Sequence, residues 1–360
     1  MRRRIAIAAT LALGCMISPV PHARAAYDPV GSGTTKITLD RSFLAALKQE
    51  GVELSAVAPA KLAGGTVSFP VAGGKFDPTS GSGTVAHEGG LTFRAGSRVL
   101  PLTVLQLKTT QRRSPFTVKA GGSQLKLATA GRLAVVRQGF GGSVNVMQLE
   151  LSAKLATRLG KKLRLKRAFS EGQALGSART TIKPGTVTVL GKNKVSLALA
   201  PDFAAKLSAL FVAVNPVFPA EHPGDFTLPI FGGDLAPNGA AGRVETSGSL
   251  EFLQLGGGQV FWADNWLDPV AGAASPEVEV LPAPPYAGKL GRQVVSSFAL
   301  SGPPVANAKD RTIAVSEANL SLSPFTAQTF NEVFAKPQGK DNVFAAGEPL
   351  GRVSFTAQGQ

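Results

Sequence analysis

Four times along this chain an alternating apolar strand runs without a break into a short amphipathic segment. The four are "ITLDRSFLAALKQ" from Ile37, "LELSAKLATRLGKK" from Leu149, "VSLALAPDFAAKLSALF" from Val195 and "LSLSPFTAQTFNEVF" from Leu320. In each, the period of two gives way to apolar spacings of three and four, as when a strand ends in a helix. Elsewhere, runs such as "SQLKLATAGRLAVV" and "TVTVL" keep the strand period, and Gly pairs break them into short pieces. This pattern predicts a mainly β protein built from antiparallel β-sandwich domains, each with one or two short helices at its edge.

The same pattern repeats. "FPVAGGKFDP" (69–78) matches "LPIFGGDLAP" (228–237) at an offset of 159, which continues to align Gly89 with Gly248, Leu91 with Leu250 and Phe93 with Phe252. At an offset of 175, "FSEGQALG" (169–176) meets "FAAGEPLG" (344–351). Two sets of matches in one order define two tandem domains, 26–185 and 186–360. "FWADNWLDP" (261–269), with both tryptophans, reads as a loop outside the repeat, as does the polyproline-prone "LPAPPY" (281–286). Residues 153–167, "AKLATRLGKKLRLKR", place Leu155, Leu159 and Leu163 four apart among basic residues. That spacing describes a membrane-surface helix that frays into a strand, or a helix packed on a sheet, and packing on a sheet is the commoner case.

The first 25 residues change the setting. Arg2, Arg3 and Arg4, the apolar run 5–13 and the Ala23-Arg24-Ala25 site form an export signal ending before Ala26. Lipid anchoring at Cys15 is the alternative. Either route places the mature chain outside the cell or in its envelope. No later segment approaches the roughly 18 apolar residues of a spanning helix. Cys15 is the only cysteine, so the mature chain has no disulfide and no thiolate chemistry.

Charge sharpens the picture further. Residues 94–183 hold 18 Lys/Arg against only Glu150 and Glu171, within a chain of net charge +15. A basic first half suits a polyanion. In an exported protein that points to an anionic wall polymer or a membrane surface, not nucleic acid. Arg158, Lys161, Lys162, Arg164, Lys166 and Arg167 are the candidate contacts.

Catalytic material is scarce. Past the export signal the histidines are His87 and His222. Ser82 and Ser97 lie near His87 in sequence, but no G-x-S-x-G elbow frames them. Asp264 and Asp268 read as surface acids, and no metal or phosphate motif occurs. A non-catalytic binding protein is expected.

A resemblance refines that expectation. Ser42 and Phe43, Phe69 and Pro70, Asp77 and Pro78, then His87-Glu88-Gly89-Gly90-Leu91 follow the order of the haem-transport-associated (HtaA-type) domain of exported bacterial proteins. The second half offers Phe203, Leu228 and Pro229, Ala236 and Pro237, and Thr246-Ser247-Gly248-Ser249-Leu250. The resemblance implies two tandem copies of a β-sandwich with a small helix. It also implies haem held by a tyrosine shortly after the Ser-Phe pair and supported by the histidine. Here the tyrosine position falls at or near Ala46, and the mature chain has only Tyr27 and Tyr286. His87, with Phe43 and Ser42 beside it, is left as the candidate haem site of an exported haem-binding or haem-relay protein. The alternative is an envelope or adhesion protein that has lost haem ligation and works through its basic 94–183 region.

Overall fold

In Asp28–Leu39 (β1) the side chains of Thr35, Ile37 and Leu39 are buried while Lys36 and Thr38 face solvent, the half-buried strand that its alternation predicts. The computed structural model describes residues 27–109, 115–120, 122–130, 133–167, 169–281 and 288–360. Residues 1–26, where an export signal is expected and where Cys15 and His22 stand, and Tyr286 with most of "LPAPPY" lie outside them. After β1 come Thr66–Phe76 (β2), Gly83–His87 (β3), Arg98–Thr109 (β4), Pro115–Ala120 (β5), Ser123–Ala130 (β6), Gly141–Leu151 (β7) and Ala174–Pro184 (β8). Each strand pairs antiparallel with the next, and β8 returns to β1.

The second half repeats this with Lys194–Leu199 (β9), Phe226–Leu235 (β10), Gly242–Thr246 (β11), Gln259–Asp268 (β12), Ala273–Leu281 (β13), Ser296–Leu300 (β14), Thr312–Leu322 (β15) and Pro349–Gln358 (β16). These strands also pair in order, and β16 returns to β9. The protein is thus mainly β, with two tandem antiparallel units. Alternation along a strand specifies a sheet with one buried face. Closure of that sheet comes from the β4–β5 and β12–β13 pairings, which turn each unit into an eight-stranded up-and-down barrel.

All four strand-to-helix junctions carry helices. Arg41–Gln49 (α1) follows β1, Ala153–Leu163 (α2) follows β7, Pro201–Ala209 (α3) follows β9 and Pro324–Phe330 (α4) follows β15. Asp40 caps α1 by accepting from the Ser42 amide, 2.7 Å away. Ser152 and Ser323 cap α2 and α4 in the same way through their hydroxyls. Phe43 and Leu47, four apart on α1, are buried, as are Phe203 and Leu207 on α3. In α2 the buried stripe is Leu155, Ala156, Leu159 and Leu163, so the helix packs on its sheet. Arg164 ends α2 in the left-handed conformation, and 165–167 form no strand.

"FWADNWLDP" is not a loop outside the repeat. It forms most of β12, the counterpart of β4, and both strands carry a bulge at a positive-φ residue, Val104 (51°) and Asp264 (47°). The bulge breaks the alternation that would have marked the strand.

The barrels are joined by side chains as well as by the chain. Phe140, in the turn before β7, is 8% exposed and belongs to the hydrophobic core of the second barrel. The Thr188 amide donates to Asp28 Oδ1 at 2.9 Å, and burial raises the Asp28 pKa above the ordinary carboxylate value.

Candidate functional site

Three buried polar side chains on three strands meet inside the first barrel: Thr35 on β1, His87 on β3 and Thr180 on β8. His87 is 5% exposed and Thr35 fully enclosed. His87 Nδ1 lies 3.0 Å from the Leu105 carbonyl, which can only accept, so Nδ1 carries the proton. Burial lowers the His87 pKa from 6.5 to about 4, although the Leu105 carbonyl pulls the other way, and the ring is neutral at physiological pH. Nε2 is then an acceptor, and the Thr35 hydroxyl donates to it at 2.6 Å. Thr35 in turn sits 2.8 Å from the Thr180 hydroxyl, which completes the chain. The Phe69 ring lies edge-on to the imidazole with centroids 6.4 Å apart.

This geometry bears directly on haem. Iron would need Nε2, which Thr35 occupies, on a ring inside the barrel. Phe43 is fully buried against Phe169, with centroids 5.3 Å apart, and has no face open to a porphyrin. Ser42 donates both its amide and its hydroxyl to Asp40, so its role is helix capping. Ala46, the tyrosine position, supplies no ligand atom. Tyr27 is exposed, with the Lys75 ammonium 5.2 Å above its ring. The residues described here therefore do not fit haem ligation at His87, and Ser42, Phe43 and His87 do not converge. Among the described residues no group of three or more His, Cys, Asp or Glu could hold a metal ion. The hydrogen bonds of His87 go to Thr35 and Leu105, not to Ser82 or Ser97.

The basic candidates divide. Lys154, Arg158, Lys161 and Lys162 line an open groove of about 670 Å³ along the outer side of α2, floored by Leu125 and Ala153. Arg158 is half-buried and donates to the Ala120 carbonyl at 2.9 Å, which holds its stem against the sheet. Among the described residues no acid lines this groove. Arg164, Lys166 and Arg167 lie in the exposed turn beyond α2, outside the groove. There the amides of Lys166 and Arg167 donate to the Glu50 carboxylate at 2.7 and 3.1 Å.

No protein-family model matches the chain, and no curated protein matches it. Among solved structures it is similar to the C-terminal domain of HtaA from Corynebacterium glutamicum. The identity is 11% and the TM-score 0.35, over 43% of this chain and 98% of that one. It is also similar to the haem-binding protein HtaB from Corynebacterium glutamicum, with 14% identity and a TM-score of 0.31, over 44% of this chain and 96% of that one.

Two features escaped the sequence. Thr35 and Thr180 lie 145 residues apart and meet only because β8 pairs with β1. Trp266 is held between two guanidiniums, with Arg243 3.6 Å and Arg292 3.8 Å from its ring centroid. Those arginines pair with Glu245 and Glu277, so the stack is neutralised.

Proposed function

We propose that this is an exported, non-catalytic binding protein whose first barrel holds an extended anionic polymer of the cell envelope in the groove along α2. The observation that carries this reading is the groove itself: four cationic side chains around an apolar floor, with no acid among the described lining residues. A polymer with regularly spaced phosphates or carboxylates would meet Lys154, Arg158 and Lys161 or Lys162 on successive turns, since residues four apart share a helix face. Arg158 is the best-ordered of these contacts, because its backbone hydrogen bond fixes the guanidinium before the ligand arrives. Exposed ion pairs are individually weak, so affinity would come from their number.

The test is binding of the full mature chain to poly(glycerol phosphate) across a salt series, with Lys154→Glu/Lys161→Glu as the comparison. Affinity should fall steeply with salt and drop at least about tenfold in the double variant, as expected when paired charges are replaced by repulsion. Salt-independent binding, or equal binding by both proteins, would overturn the proposal. Preference for phosphatidylglycerol vesicles over the polymer would move the ligand to a membrane surface.

Haem finds its support in the same groove. A flat apolar body with two carboxylates suits an apolar floor rimmed by cations, and His87 offers iron no free nitrogen. On this second reading a haem titration of His87→Gln keeps its spectral change, while the double charge variant loses it. Loss in His87→Gln alone would return haem to the barrel.

A further inference from the structure

The two barrels are copies, yet their interiors differ at several matched positions, among them Thr180, whose counterpart is the buried Phe355. The partner of Thr35 is Val195, since Thr35 pairs with Thr180 and Val195 with Phe355. His87 corresponds to Thr246, and the carbonyl that receives its proton, Leu105, to that of Asn265, which lies 3.4 Å from the Thr246 hydroxyl. Phe116, fully buried opposite Leu107 in the first barrel, corresponds to Ala274 opposite Leu267. Ala128, opposite Phe116, corresponds to Ser296, opposite Ala274.

The second barrel gains Phe355 and Trp262 where the first has Thr180 and Leu102, and still holds a cavity of about 40 Å³ beside Thr246 and Ala274, where the first barrel has His87 and Phe116. Its wall includes Val195, Leu228, Leu250, Trp262, Ala274 and Thr246. The polar group has also moved across the lumen. Ser296 lines the cavity with no solvent exposure, and its Oγ has no hydrogen-bond partner among the described residues. A buried hydroxyl left unpaired is costly, and native structures rarely keep one without a purpose.

We infer that the interior of the second barrel is a binding site for a small neutral molecule, a few heavy atoms in size, with an apolar body and one hydroxyl or carbonyl oxygen. The oxygen pairs with Ser296, and the apolar part lies against Val195, Leu228 and Trp262. Among the described residues no charged side chain lines the cavity, so ions are excluded by the cost of desolvation. Eight-stranded barrels are just wide enough for side chains to fill or to hold one small ligand. Here one copy takes each course.

The probe is n-propanol, titrated into the full mature chain and followed by Trp262 emission and by methyl NMR shifts. Saturable shifts confined to the methyls of Val195, Leu228 and Leu250, with Val85 and Leu107 of the first barrel unmoved, are expected. Ser296→Ala should weaken binding about fivefold to tenfold, the loss of one hydrogen bond to a buried oxygen. Ala274→Phe restores the side chain of the first barrel and should abolish binding. If that variant does not fold, Ala274→Leu fills the space more gently. Shifts that grow linearly with alcohol in both barrels would overturn the inference. So would an ordered water between Ser296 and Thr246 that propanol does not displace.

Discussion

Lowering the pH from 7 to 4 should cost the first barrel about 3 kcal/mol through His87 alone. The ring is neutral when folded because burial brings its pKa from 6.5 to about 4. Between those values the unfolded chain takes up a proton that the folded barrel refuses. Stability is therefore full above pH 6.5 and falls as pH drops toward 4. At about 1.4 kcal/mol for each pH unit of that interval, the loss by pH 4 is about 3 kcal/mol. Solvent screening reduces it little, since the ring is 5% exposed. Guanidinium unfolding of the wild type and of His87→Gln, measured from pH 7 to pH 4, isolates the effect. Contributions from groups common to both proteins cancel in the difference. The wild type should lose about 3 kcal/mol more than the variant over this range. Parallel pH curves would refute the buried, neutral imidazole.

Two further outcomes follow from the packing. Gly74, at φ +128°, has no room for a side chain, since an added Cβ would lie 2.0 Å from the Thr84 carbonyl, and Gly233 is its counterpart, 2.3 Å from the Arg243 carbonyl. Either residue changed to Ala should cost about 2 kcal/mol, seen as a Tm lower by about 4–8 °C. Phe140→Ala removes a side chain that one barrel places in the core of the other. It should cost about 3 kcal/mol and split a single calorimetric transition into two.

The strands and helices were legible where a local rule governed them. The junctions at Asp40, Ser152 and Ser323 carry their own caps, and the repeat of "FPVAGGKFDP" reflects Gly74 and Gly233, where a strand passes too close to its neighbour for any Cβ. What depends on contacts across the sheet was not legible. Barrel closure rests on the β4–β5 and β12–β13 pairings, and β12 was hidden because the bulge at Asp264 breaks its alternation. The resemblance drew attention to His87, but only the structure shows that its partners, Thr35 and the Leu105 carbonyl, tie up both ring nitrogens. The groove was half visible: the basic residues stand out in sequence, while Arg164, Lys166 and Arg167 drop away only once α2 is known to end at Leu163.

The exchange of Phe116 for Ala274 also has a mechanical side. Compression favours whichever state occupies less volume, and unfolding removes internal voids. The second barrel carries a cavity of about 40 Å³ at Ala274, against one of about 10 Å³ beside Phe76 and Ile182 of the first. Under hydrostatic pressure the second barrel should yield first, although it is the more aromatic of the two, and an occupant in its lumen would stiffen it.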